Sequence, residues 1–180
     1  LLVNDDDLAY AKIRLDDRSF DTAVTHLGSF QSSMPRSLVL GAAWDMTRDA
    51  EGAPRGFVDL ALTAIATETD STVLRILLAQ LTTTVHVYVA PEHRPGVVRQ
   101  VTDRLRSLLE TAEPGSDQQL QLMGAFAGFA SSERDLDLLR GLLDGTQSLT
   151  GLAVDTDMRW TLLTGLVAAG AAGDDDIDRE

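Results

Sequence analysis

The chain has 180 residues, 44% hydrophobic and 24% charged, which suffices for one domain with a sizeable core or for an array of helix pairs, and lies far from the composition of disorder. Fifteen basic residues against twenty-eight acidic ones leave a net charge of -13, which repels nucleic-acid phosphates and anionic headgroups and argues against nucleic acid and membrane as partners. The absence of cysteine excludes disulfides and thiolate zinc sites, and no run of about 18 apolar residues is present to span a membrane.

In chain order, residues 1–16 read as an extended segment. Leu8 to Leu15 alternate loosely between apolar and polar between two groups of aspartates, the pattern of a short edge strand or an extended junction. From residue 17 to 180 the apolar period becomes helical, in about eight segments separated by Gly, Pro, Ser or Asp. Phe20, Val24 and Leu27 mark the first, ended by Gly28. Leu38, Ala42, Trp44 and Met46 mark the second, with Pro35 near its first turn. Phe57, Leu60, Ala61, Ala64 and Ile65 form a third face, and Val73, Leu74, Leu77, Leu78 and Leu81 a fourth, with Asp70 or Ser71 as its cap. These two read as a helical hairpin.

The β-branched run Thr82 to Val89 alternates like a strand. The phase through Leu78, Leu81, Val85 and Tyr88, and the lack of a partner strand, predict instead that the fourth helix continues. Val97, Val98, Val101, Leu105, Leu108 and Leu109 give a fifth stripe after Pro91 and Pro95, closed by Pro114-Gly115. Leu120, Met123, Phe126, Ala127 and Ala130 form a sixth, Leu136, Leu139 and Leu143 a seventh behind the cap-like Ser132-Glu-Arg-Asp135, and Trp160, Leu163, Leu166 and Val167 an eighth. The expected fold is all-α: an irregular α-α superhelix of stacked antiparallel hairpins, HEAT- or armadillo-like, without a strict period. The first residues lack the basic flank of a signal peptide, and both ends read as cut, Asp174 to Glu180 resembling the start of another helix.

Catalytic chemistry is hard to place. Two metal-binding histidines one helical turn apart, H-E-x-x-H, do not occur; the three histidines are His26, His86 and His93, the last two separated by a proline-punctuated junction. Asp5-Asp6-Asp7 and Asp174-Asp175-Asp176-x-Asp178 lack the glycine and distal glutamate of an EF-hand loop and read as solvated turns or helix caps. No G-x-S-x-G, G-x-G-x-x-G or phosphate-binding loop is present, and Gly124 and Gly128 suit close helix packing. No catalytic, cofactor-binding or metal residue is therefore assigned. Both tryptophans, Trp44 and Trp160, are expected in the core, and Arg159 is the one candidate for contact with a peptide carboxylate.

A family resemblance is carried by Asn4-Asp-Asp-Asp-Leu-Ala-Tyr-Ala-Lys-Ile-Arg-Leu-Asp16. It is similar to the asparagine and G-Y-Y-R-V-x-Y-D segment that joins the small β-domain to the terminal helical domain of the aminopeptidase N family and the endoplasmic-reticulum aminopeptidases. Tyr10, Lys12, Ile13 and Asp16 fall on that pattern, whereas Ala9, Ala11 and Leu15 depart from it. Leu40-Gly-Ala-Ala-Trp-Asp-Met-Thr-Arg-Asp-Ala-Glu51 and Asp155-Thr-Asp-Met-Arg-Trp-Thr-Leu-Leu163 resemble helices of the terminal domain in bacterial members.

The resemblance implies a fragment of a zinc metallopeptidase of the H-E-x-x-H gluzincin type, in which residues 1–16 lead from a preceding β-domain and residues 17–180 form a helical domain capping the active-site cleft. Zinc, the H-E-x-x-H histidines and the exopeptidase motif G-A-M-E-N then belong to a separate domain, and the fragment is inactive alone. Its partners are the catalytic and β-domains of the same chain and the peptide substrate, and a cytoplasmic location is expected. The residues leave two alternatives: an independent helical-repeat scaffold for a protein partner, and an autonomous hydrolase using His86 or His93.

Overall fold

A computed structural model describes residues 2–180; Leu1, the first residue of the expected junction, lies outside the described residues. The helices are α1 (Asp17–His26), α2 (Ser33–Arg48), α3 (Pro54–Ile65), α4 (Ser71–Thr83), α5 (Arg94–Thr111), α6 (Asp117–Phe129), α7 (Glu133–Asp144), α8 (Thr156–Ala168) and the short α9 (Asp174–Ile177). No strand occurs among the described residues, and Leu8 to Leu15 lie outside helix and sheet, with Leu8 itself in a helical conformation. The chain is all-α and built of helical hairpins, as its periodicity predicts. It divides into two compact units, one reaching to Arg99 and the other starting at Gln100, with the boundary inside α5.

Helix starts follow from side-chain oxygens that accept otherwise unpaired backbone amides. Asp16 accepts from the Ser19 N–H at 2.7 Å and Asp70 from those of Thr72 and Val73 at 2.9 and 3.0 Å. Ser116, Ser132 and Asp155 serve α6, α7 and α8 in the same way. Asp70, rather than Ser71, is thus the cap of α4. Helix α7 stops at Gly145, whose φ of 79° lies where a side chain would be strained.

In the first unit α3 is the central element: seven of its twelve residues are buried, which places apolar side chains on more than one face. It packs against α1, α2 and α4. Phe57, Leu60, Ala61 and Ile65 are completely shielded, and Leu74, Leu77 and Leu81 of α4 meet them as the other half of the hairpin.

The run from Thr82 to Val89 does continue the helix, but in a widened form. After Thr83 the chain makes one π-helical turn, Thr84–Tyr88, closed by the Val89 N–H donating to the Thr84 carbonyl at 2.9 Å. The hydroxyls of Thr82, Thr83 and Thr84 donate to the carbonyls of Leu78, Ala79 and Gln80, so this β-branched run is satisfied inside a helix and needs no partner strand. Arg94 caps the turn by donating to the carbonyls of Val85 and Val89.

In the second unit α8 packs on both α6 and α7. A methyl group at Gly165 would lie 2.5 Å from the Ala127 carbonyl oxygen, so the α6–α8 approach requires a residue without a side chain there. The buried residues of α8 are Met158, Leu162, Leu163, Gly165 and Leu166. Trp160 is 42% exposed and Val167 38%, which corrects the expected core placement of Trp160 and rotates the buried face. The reason is register: positions 158, 162, 165 and 166 share a stripe that 160 and 167 lie outside. Leu120 is likewise exposed, and α6 buries Leu122, Met123, Phe126 and Phe129.

Phe57→Ala is expected to cost about 3–5 kcal/mol and Gly165→Ala about 1–3 kcal/mol, against less than about 1 kcal/mol for Trp160→Ala. Urea denaturation of the three variants checks this order.

Candidate functional site

The chemistry-bearing residues picked out from sequence are dispersed. His26 ends α1, His86 sits in the π-turn and His93 in the turn before α5, all three exposed. Asp5–Asp7 make a single 3₁₀ turn in which the Asn4 amide nitrogen donates to Asp7 at 2.9 Å and its oxygen accepts from the Ala9 N–H at 2.8 Å. Asp174–Asp176 open α9, with Asp176 accepting from the Gly173 N–H at 2.9 Å. Among the described residues no group of three or more His, Asp or Glu could hold a metal ion. No described helix is long and apolar enough to cross a membrane.

Arg159 is half-exposed, and its guanidinium is engaged within its own unit. It chelates the Glu180 carboxylate, with Nη2 at 2.6 Å from Oε2, and donates from Nη1 to the Leu143 carbonyl at 2.9 Å. Pairing with Glu180 raises the Arg159 pKa and lowers that of Glu180. Trp44 is half-buried between the Phe57 ring at 5.5 Å and the Tyr88 ring at 5.9 Å, with the Arg48 guanidinium 5.9 Å from its centre. Trp160 instead edges a shallow groove of about 330 Å³ with Gly124, Gly128 and Gly165.

The larger hollow lies in the first unit. It is a cleft of about 820 Å³ between the segment before α1, α1 and α2, with an apolar floor of Ala23, Leu27, Val39 and Ala42 and a polar rim of Arg18, Thr22 and His26. Ile13 and Leu15 close one side. The segment that carries them is tied to the loop after α2: Lys12 pairs with Asp49, Arg14 reaches the same Asp49 oxygen at 2.5 Å, and the Arg14 Nε pairs with Glu51. The Lys12 hydrogen bond is the main influence that lowers the Asp49 pKa.

Two buried ion pairs escaped the sequence reading. Arg36 forms a two-pronged contact with Glu68, Nε to Oε2 at 2.9 Å and Nη2 to Oε1 at 2.6 Å, and donates from Nη1 to the Phe30 carbonyl at 2.8 Å. The Glu68 Oε1 also accepts from the N–H groups of Thr69 and Asp70, both at 2.9 Å. Arg106 donates to Asp135 at 2.5 and 3.1 Å and lies 5.1 Å from the Phe126 ring centre, while the Ser132 hydroxyl donates to the other Asp135 oxygen. The signal available in sequence was weak: a charged residue inside an apolar stripe, as with Arg36 three before Val39.

These pairs are structural. Burial pushes the Glu68 carboxyl upward, but the Arg36 hydrogen bonds, the Asp70 and Thr69 amides and the Arg36 charge together outweigh it and leave the pKa below its ordinary 4.5. Asp135 follows the same balance and falls below 3.8, with the Ser132 and Arg106 hydrogen bonds overcoming burial. What these residues build is therefore a set of helix junctions held by buried charge.

The chain belongs to the ERAP1-like C-terminal domain family, whose model matches residues 1–180. It is also similar to the Aminopeptidase N of Streptomyces lividans, with 46% identity over 180 residues, which is 100% of this chain and 21% of that protein. The chain thus spans about a fifth of the length of the curated relative it matches.

Glu68→Gln should destabilise the fold by about 3–5 kcal/mol by stranding the Arg36 charge. Because the folded pKa values of Glu68 and Asp135 are depressed, their stabilisation is present above the unfolded-state values and lost as pH falls through the folded ones. Thermal melts should show stability declining from about pH 5 downward, with a shallower decline in Glu68→Gln.

Proposed function

We propose that this chain is the non-catalytic C-terminal domain of a zinc aminopeptidase, capping the active-site cleft and enclosing or gating the peptide while a separate domain removes N-terminal residues. The observation that carries the reading is the family match across all 180 residues together with 46% identity to an aminopeptidase N. In this reading residues 1–16 are the extended junction from a preceding β-domain, residues 17–180 are the helical domain, zinc is bound in the catalytic domain, and the protein is cytoplasmic. Helix hairpins suit the role physically: they present large surfaces, and closing them over a cleft excludes water and positions substrate without supplying a nucleophile.

Arg159 contacts the peptide in this scheme by exchanging the Glu180 carboxylate for one of the substrate. Arg159→Met in the longer protein should then raise KM for peptides about threefold or more with kcat unchanged. An independent scaffold for a protein partner is the second reading from sequence, and the extent of identity to an aminopeptidase favours the first.

The isolated chain, supplied with zinc, should hydrolyse no amino-acid anilide, whereas the longer protein should. Metal-dependent turnover by the isolated chain would sink the assignment. Gating is tested by small-angle X-ray scattering of the longer protein: a bound non-hydrolysable peptide should reduce its radius of gyration, and an unchanged radius refutes closure.

A further inference from the structure

We infer that residues 12–15 form a releasable wall of the apolar cleft, held in place by charge and opened as one piece when that charge is screened or removed.

The segment has no regular structure to hold it. Leu8 is 86% exposed and Tyr10 fully exposed, and the backbone from Tyr10 to Leu15 takes no part in a helix or sheet. Inward-facing Ile13 and Leu15 are only half-buried along the cleft, opposite Ala23, Leu27, Val39 and Ala42. Among the described residues two polar attachments remain. One is the Leu15 N–H, which donates to the Met46 sulfur at 3.3 Å, a weak acceptor. The other is the ion cluster, in which Lys12 and Arg14 converge on Asp49 while Arg14 also holds Glu51.

The cluster concentrates the attachment on one carboxylate. Asp49 and Glu51 flank Ala50, which has a φ of 58°, so this loop presents its two carboxylates from a backbone bend that Ala50 adopts only under constraint. The four side chains are between 30% and 50% exposed, within reach of solvent ions, so screening weakens them together. Loss of Asp49 unties Lys12 entirely and leaves Arg14 with Glu51 alone. The wall thus has an ionic hinge point with a single shared anion, and behind it lies the Met46 thioether.

The same cations give a direct readout. Trypsin needs a free Lys or Arg side chain on a chain outside regular structure, and here residues 12–14 lie outside helix and sheet while both side chains are occupied. Cleavage after Lys12 and Arg14 should rise about tenfold in Asp49→Asn at low salt, should rise several-fold in the unaltered protein between about 0.05 and about 1 M NaCl, and should return toward the original rate in Asp49→Glu. A free peptide of residues 8–20 supplies the salt response of trypsin itself. Oxidation of Met46 by hydrogen peroxide, measured by mass spectrometry relative to the exposed Met34, should rise in parallel as the wall leaves. Cleavage rates that ignore both Asp49→Asn and salt overturn the inference. So does faster cleavage with unchanged Met46 oxidation, because residues 12–14 would then fray without the wall leaving α2.

Discussion

The first unit depends on one buried contact, that of Arg36 with Glu68. A single guanidinium and a single carboxylate join the start of α2, the chain leaving α1 through Phe30, and the turn between α3 and α4 through the amides of Thr69 and Asp70. Apolar packing around α3 supplies most of the driving force but is non-directional. The ion pair has a fixed planar geometry, so it selects one arrangement of three chain segments among those the apolar surfaces would tolerate. In the second unit Arg106 and Asp135 tie α5 to the start of α7 in the same fashion, with Phe126 of α6 beneath the guanidinium.

Much of the fold was legible in the sequence, because helix boundaries are set by local chemistry. Asp70, Ser132 and Pro35 stand where helix starts need an acceptor or a residue without an N–H. Faces were read less well. Trp160 looked like core because it is large and apolar, yet the α6–α8 contact is made through Gly165 and its neighbours, and a helix surface that approaches a backbone so closely has no room for an indole. The buried pairs were hidden for a different reason: Arg36 and Glu68 are 32 residues apart, and nothing local in either neighbourhood marks its partner. The candidate site was least legible, since Arg159 stood out by residue type alone, while its engagement by Glu180 and Leu143 is a tertiary fact.

The strongly negative charge acquires a structural meaning from these contacts. Arg14, Arg36, Arg48, Arg106, Arg140, Arg159 and Arg179 all face carboxylates of the same chain. Much of the positive charge is therefore neutralised within each unit, and the surplus that solvent and partners meet is acidic. The buried charged groups Arg36, Glu68, Arg106 and Asp135 stabilise helix junctions in this member of the ERAP1-like C-terminal domain family.

The π-turn at Thr84–Tyr88 carries a consequence for how this sequence can vary in length. A hydrogen bond that spans five residues, as from Val89 back to Thr84, accommodates one residue more than an α-helical turn does. The surplus residue is absorbed as a bulge on an exposed face, where His86 and Val87 project, while Val85 and Val89 stay buried on the other side. Deleting one residue from the outward side converts the bulge to an ordinary turn and leaves the inward side chains in phase. Most single-residue deletions in a helix rotate everything downstream by about 100°. The turn thus lets this segment carry one residue more than an α-helix would while Val85 and Val89 keep the inward side.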